Sequence, residues 1–214
     1  METIWIIGFG RFGRIALERL ASGKRITRFV VVEPEPEQFP QFGENVEIVR
    51  QDGVDFLKQH LAEQNIPDWI IPALPVHLAA LWLMAGSAPV GIRRCDPPEG
   101  LEKRLPNPMF GHTGDIYTSM ADFMCPDNCP EPADYCPSTG KKRTQNLYEW
   151  LENLEIAEFE TRVIRSHQLA PGVGGYKPES LLELKQKMSQ KPGKHLIATA
   201  CRCHGVITPV LTQA

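Results

Sequence analysis

Three cysteines fall within the thirteen residues "CPDNCPEPADYCP", positions 125–137, and each is followed by proline. Two more, Cys201 and Cys203, return near the C-terminus in "CRCHG". Thiolates ligate zinc and iron–sulfur clusters. In a reducing compartment, clustered cysteines bind metal or do redox chemistry more often than they form structural disulfides. The spacing Cys125-x3-Cys129-x6-Cys136 matches neither the paired cysteines of a zinc ribbon nor the tight run of bacterial ferredoxins. Proline does follow a ligating cysteine in that ferredoxin run, and it stiffens the chain beside each sulfur. A fourth ligand from Cys201 or Cys203 would close the set, with His204 a further donor. Three chemistries fit. An iron–sulfur cluster, in particular [4Fe–4S], is preferred on the irregular spacing and the prolines. A structural zinc suits the histidine of "CRCH". Free or redox-active thiols, including a Cys201/Cys203 disulfide, are the third. Cys95 stands alone after Arg93 and Arg94 and reads as a small apolar residue.

The second chemistry is at the N-terminus. In "IWIIGFGRFGRIALERL" a short apolar run is followed by Gly8, Gly10 and Gly13 in G-x-G-x-x-G spacing, then by apolar residues at helical spacing. Each glycine has a physical task. Gly8 permits the turn out of the strand, Gly10 lets backbone approach a pyrophosphate, and Gly13 lets helix and strand pack closely. The helix N-terminus offers free N–H groups and a positive dipole end to phosphate. Arg11 and Phe12 lie inside the loop and go with it. A second strand, "RFVVVE", ends in Glu33, twenty residues after Gly13, where an acid would accept hydrogen bonds from ribose hydroxyls. An acid there repels a 2′-phosphate, so NAD(H) is expected over NADP(H).

The pieces "IIGFGRFG", "VVVEPEPE", "VEIVRQDGVD" and "IPDWIIPALP" resemble the RCK (TrkA-N) nucleotide-binding domains, which regulate potassium channels and transporters. The resemblance spans about residues 3–88. It implies a Rossmann fold that binds NAD(H) or an adenine nucleotide through Gly8, Gly10, Gly13 and Glu33. It also implies that Asp52 lies near the adenosine, although Gln51 stands where the family has glycine.

These groups need elements to hold them. Strands are expected near 4–7, 28–33, 46–53 and 68–75, with helices after the first, third and fourth. Residues 69–90 carry no Asp, Glu, Lys or Arg, but Pro72, Pro75, Pro89 and His77 argue for a buried strand and helix rather than a membrane span. Residues 91–143 turn proline-rich and lose periodicity. A long irregular stretch needs something to hold it, and a metal would serve. Helix 144–159, strand 161–169, helix 177–190 and strand 194–200 then restore the alternation, with an extended tail. The expected fold is α/β: one doubly wound, mostly parallel, Rossmann-like sheet. It divides into a nucleotide-binding half at 1–90, a Cys/Pro-rich insertion at 91–143, and an α/β portion at 144–214 that completes the sheet.

Two histidines are candidates for proton transfer near a nicotinamide: His167, at a strand end before the glycine-rich "PGVGG", and His77, which also reads as a helix-start residue. That glycine-rich loop would cradle an anion or serve as a connector. "STGKKR", 138–143, lacks the glycine and the hydroxyl residue of a P-loop. It reads as a solvated basic turn or as positive charge beside an anionic cluster. The net charge of −3 gives no general attraction to nucleic acid. No positively charged n-region precedes "IWII", so a cytoplasmic location is expected. The readings that follow are an NAD(H)-binding redox protein with a cysteine-ligated centre, an RCK-like nucleotide sensor without catalysis, or an NAD-dependent oxidoreductase with structural zinc. Expected partners are the dinucleotide, a redox protein or a transporter, and a second copy in a homo-oligomer.

Overall fold

The computed structural model describes residues 1–23, 26–35, 43–62, 66–86 and 91–213. Positions 36 and 37 of "VVVEPEPE", the end of the predicted helix at 63–65, and Pro89 lie outside the described residues.

Strands β1 (Glu2–Ile7), β2 (Thr27–Val32), β3 (Val46–Val49) and β4 (Trp69–Pro72) form a parallel sheet in the order β3-β2-β1-β4. Both faces of its centre are apolar, as a parallel sheet covered by helices requires. The two-residue strand period sorts them. Ile4, Ile6, Phe29 and Val31 pack with Ala16 and Leu17 of α1 (Arg11–Ala21). Trp5, Ile7, Val30 and Val32 pack with Phe56 and Leu57 of α2 (Gly53–His60) and with Leu78, Trp82 and Leu83 of α3 (Leu78–Ala85). The charge-free stretch 69–90 therefore supplies β4 and α3, both buried for packing. No helix among the described residues is long and apolar enough to cross a membrane.

The rest of the chain does not complete that sheet, contrary to the sequence expectation. Strands β5 (Ile92–Arg94), β6 (Met109–Phe110), β7 (Ile116–Ser119), β8 (Phe159–Arg165), β11 (Gly193–Ala200) and β12 (His204–Thr212) build a second one. The reason is the length of "CRC". Three residues between β11 and β12 can only reverse the chain, whereas a parallel neighbour needs a crossover of a dozen or more residues. β12 is accordingly antiparallel to β11, and its other edge takes β7 and β5. The stretch 91–143 is thus irregular only in part, because β5, β6 and β7 belong to this sheet. The predicted strand 161–169 is two elements, β8 and then β9 (His167–Ala170), which pairs with β10 (Val173–Gly175).

One face of the second sheet, with Ile164, Ile197 and Val210, shares a core with α3 and with α5 (Pro178–Gln190). That core also reaches Trp5 and Ile7, so helices are sandwiched between two sheets. The other face packs Leu196, Ala198 and Ile207 against Leu147 and Leu151 of α4 (Leu147–Glu152).

Candidate functional site

The glycine loop has the geometry its spacing implies. Gly8 sits at φ +98°, and a Cβ there would come within 2.8 Å of the Ala73 carbonyl oxygen. A Cβ on Gly13 would lie 2.1 Å from the Gly8 carbonyl oxygen, so the helix can approach the strand only without one. Around Gly10 there is open space. Glu33 leaves the end of β2, and its Oε2 accepts from the Phe9 N–H at 2.7 Å, which fixes the carboxylate against the loop. Phe12 is exposed at the first turn of α1. Asp52 caps α2, accepting from Val54 N–H at 2.8 Å and Asp55 N–H at 3.0 Å.

The cysteine loop runs from β7 to α4 with almost no regular structure, and it docks on the glycine-loop helix. Arg11 pairs with Asp127. Arg19 Nη1 donates to the carbonyl oxygens of Asp127, at 2.8 Å, and Pro171. The Cys129 carbonyl accepts from Gly172 N–H at 3.0 Å and from Gln168 Nε2 at 2.6 Å. Gly172 must be glycine, since a Cβ would lie 1.6 Å from the Asp127 oxygen. The glycine-rich hairpin between β9 and β10 is therefore the seat of the cysteine loop.

Cys125, Cys129, Cys136 and Cys203 line one cleft of about 330 Å³ with Lys141 and Arg143. Burial, and after it the neighbouring Cys129, Cys203 and Cys136, pushes the Cys125 thiol up. Hydrogen bonds from the Thr139 side chain and backbone hold the Cys136 thiol below its ordinary range. Arg143 Nη1 donates to Cys203 Sγ at 2.8 Å, so the last residue of "STGKKR" brings its charge to the sulfur cluster. Cys201 is set apart. Its Sγ accepts from the N–H of His204 at 3.3 Å, and burial followed by the Glu131 carboxylate pushes the thiol far up. Among the described residues no three His, Cys, Asp or Glu side chains are placed to hold a single metal ion. Cys95 is half-buried on the far side of β12, bonded through its N–H to the Pro209 carbonyl.

Two further clefts lead from the thiols to the parallel sheet. The middle one, about 400 Å³, has Cys125, Cys129 and Cys203 on one wall and Phe12, Cys201 and His204 among its other residues. Glu131 also faces it, buried, at φ +44° and with no hydrogen-bond partner for Oε1 among the described residues. The inner cleft, about 310 Å³, shares Ser166, Cys201 and His204 with the middle one and is closed by Pro72, Leu74 and Pro75 at the end of β4.

The inner cleft is lined by His77, which precedes α3 without a side-chain capping bond and is buried. Its Nδ1 lies 2.7 Å from Thr208 Oγ1 and its Nε2 2.9 Å from Thr199 Oγ1. Thr208 Oγ1 donates to Asp115 Oδ1 at 2.5 Å, and Arg94 Nη1 donates to the same oxygen at 2.7 Å. Because the Thr208 proton is spent on Asp115, Thr208 accepts from His77 Nδ1–H. Nε2 is then the acceptor, and the Thr199 hydroxyl donates to it. Burial lowers His77 to about 4, so the ring is neutral. His167 packs its ring edge on Trp69 at 5.5 Å between centroids, and burial lowers it too. It lines none of these clefts. Thr199, Thr208, Asp115, Tyr176 and Glu131 escaped the sequence reading, because only the pairing of β11, β12 and β7 and the docking of the cysteine loop bring them to the clefts.

Residues 68–213 match a family described as AF_1314_C, "Uncharacterized protein, C-terminal domain". A protein of Archaeoglobus fulgidus, printed as "Uncharacterized protein", is 29% identical over 220 residues, 95% of this chain and 96% of that one. No solved structure matches. The family match covers the six cysteines, the second sheet and the cleft residues other than Phe12, and it starts beyond the glycine loop.

Proposed function

The chain belongs to that family, and we propose that it acts as an NAD(H)-binding redox protein whose Cys125, Cys129, Cys136 and Cys203 hold an iron–sulfur cluster, most simply [4Fe–4S]. The observation that carries this is the shared cleft. Four thiols from two distant parts of the chain line it, next to Arg143, on a loop clamped to the helix that begins at the glycine loop. A single zinc needs its four sulfurs in van der Waals contact, about 3.8 Å apart for a tetrahedron with Zn–S near 2.3 Å. The described residues hold no such grouping. An iron–sulfur cluster carries net negative charge, which suits thiols that share a cleft with Arg143 and Lys141. Cys203, not Cys201, is the fourth ligand, because Cys201 is turned toward Glu131 outside that cleft.

A bound cluster would supply one-electron transfer. The chain's own residues do the rest. Gly10 leaves the pyrophosphate room at the N-terminus of α1, and Glu33 offers its carboxylate to the adenosine ribose. Arg143 offsets charge at the sulfurs, and the Gly172 and Gln168 bonds to the Cys129 carbonyl hold the ligand loop at a fixed height over α1.

The test is purification of the full chain without oxygen, followed by reconstitution with ferrous iron and sulfide. A brown protein with about four iron and four sulfide per chain, bleached by dithionite, is the expected result. A colourless protein that retains stoichiometric zinc would overturn the reading.

A further inference from the structure

We propose that the inner cleft is the nicotinamide site, in which Tyr176 and Thr199, both from the second half of the chain, read the carboxamide. The inference rests on the dinucleotide reading above and adds where the reactive end of that ligand goes. Three observations carry it. First, Glu33 at the end of β2 takes the adenosine side of a dinucleotide whose pyrophosphate lies at Gly8–Gly13. The other half must then run the opposite way across the sheet, over the end of β4. The inner cleft is there. Leu74 in its wall is the side chain that a Cβ on Gly8 would strike, at 2.7 Å, so cleft and glycine loop adjoin.

Second, Tyr176 lines this cleft, is fully buried, and its hydroxyl finds no hydrogen-bond partner among the described residues. A buried hydroxyl left unpaired costs about 1–3 kcal/mol, so its retention points to a ligand that satisfies it. Burial keeps the phenol protonated, so it is a donor. Third, the chain Arg94–Asp115–Thr208–His77–Thr199 fixes the polarity of Thr199. Its proton points to His77 Nε2, so toward the cleft Thr199 Oγ1 has only lone pairs. This donor and this acceptor, in a cleft that also carries Ser166 and His204, complement a primary carboxamide, whose oxygen accepts and whose NH₂ donates.

Affinities of the full chain for NADH and for ADP-ribose, which lacks the nicotinamide, separate the two claims. Wild type binds both, NADH more tightly. Tyr176→Phe weakens NADH about tenfold, equivalent to about 1.4 kcal/mol, and leaves ADP-ribose within twofold. Thr199→Val does the same, and Thr199→Ser restores NADH binding. If Thr199→Val does not fold because it orphans His77, Tyr176→Phe alone decides. The blue-shifted fluorescence of bound NADH is reduced in Tyr176→Phe, which a merely structural loss would not produce without also weakening ADP-ribose. Unchanged NADH affinity in Tyr176→Phe, or an equal loss for both ligands, overturns the carboxamide site while leaving dinucleotide binding in place. Failure of wild type to bind either ligand overturns the dinucleotide reading and this one with it.

Discussion

The glycine loop and the cysteine loop meet on the same helix, yet they are held by opposite means. The glycine loop is rigid without help. Its backbone packs so closely that Cβ atoms on Gly8 or Gly13 would overlap the Ala73 and Gly8 carbonyl oxygens. The cysteine loop packs that closely where Asp127 meets Gly172, but much of the rest of it is open. Met124 is almost fully exposed, Phe123 and Tyr135 are exposed, and polar bonds from Arg19, Arg143, Gln168 and Gly172 do the holding. A loop that buries so little apolar surface is one that a bound group would order. On the proposed reading, one site is built before its ligand arrives and the other is completed by it.

That contrast sets the largest expected effects. Cys203→Ala abolishes the visible chromophore and most of the bound iron, whereas Cys201→Ala retains both. Elemental analysis and the visible spectrum of reconstituted protein check the pair. On the proposal that a cluster orders the loop, limited proteolysis of Cys203→Ala cuts between residues 120 and 146 several times faster than in wild type. Equal loss of iron in the two variants breaks the assignment of the fourth ligand.

The glycine loop answers with a different signature. Gly13→Ala costs about 3 kcal/mol, because the added methyl meets backbone that cannot move aside. Gly10→Ala, with open space around it, changes stability by less than about 1 kcal/mol while weakening NADH at least tenfold. Denaturant titration and NADH affinity separate the two, and Gly10→Ala with unchanged affinity would mean that no pyrophosphate lies there.

The difference between the loops also explains what could be read from sequence. The glycine loop is legible because every residue it needs is within a few positions, and each glycine's reason is local. The grouping of Cys125, Cys129 and Cys136 was legible for the same reason. That Cys203 and not Cys201 shares their cleft was not, since it depends on which side of the β11–β12 turn each sulfur leaves. Arg143 was visible as charge but not as a donor to one sulfur. The inner cleft was hidden altogether. Thr199 and Thr208 are ordinary strand residues, and they meet only because 197 and 199, like 208 and 210, face α3, where His77 waits. The second sheet itself was foreshadowed by one feature, the three-residue "CRC", too short for the crossover that a single parallel sheet demands.

The His77 chain gives a smaller, pH-dependent effect. Burial lowers His77 from 6.5 to about 4 in the folded protein, with Asp115 opposing and Arg94 adding to the shift. The unfolded chain therefore binds more protons between those values, and stability rises with pH there. The contribution is fully present above about 6.5 and is lost as pH falls toward 4. Between pH 7 and pH 5 it amounts to about 2 kcal/mol. Asp115 is held below its ordinary range and titrates under this window. In His77→Gln the slope between pH 7 and pH 5 shrinks by that amount. A slope equal to wild type would mean that His77 carries a proton when folded and that the hydrogen-bond polarity assigned to Thr199 is reversed.

The smallest effect tests what holds the two loops together. Arg11 and Asp127 join them most visibly, yet the Arg11 side chain is 72% exposed and pairs in water. Such pairs contribute about 0–1 kcal/mol, because solvent screens them and two side chains must be ordered. Arg19 is the stronger brace. Its guanidinium donates to backbone carbonyls on both sides of the seam, Asp127 on the cysteine loop and Pro171 on the glycine-rich hairpin. Charge-assisted bonds to fixed carbonyls lose less on ordering than a pair of free side chains. A double-mutant cycle on Arg11→Ala and Asp127→Ala should give a coupling below about 1 kcal/mol, while Arg19→Ala alone costs about 1–2 kcal/mol. If the cycle gives the larger value, the loops are joined by the ion pair. The cysteine loop would then detach in salt, and cluster retention would fall with ionic strength.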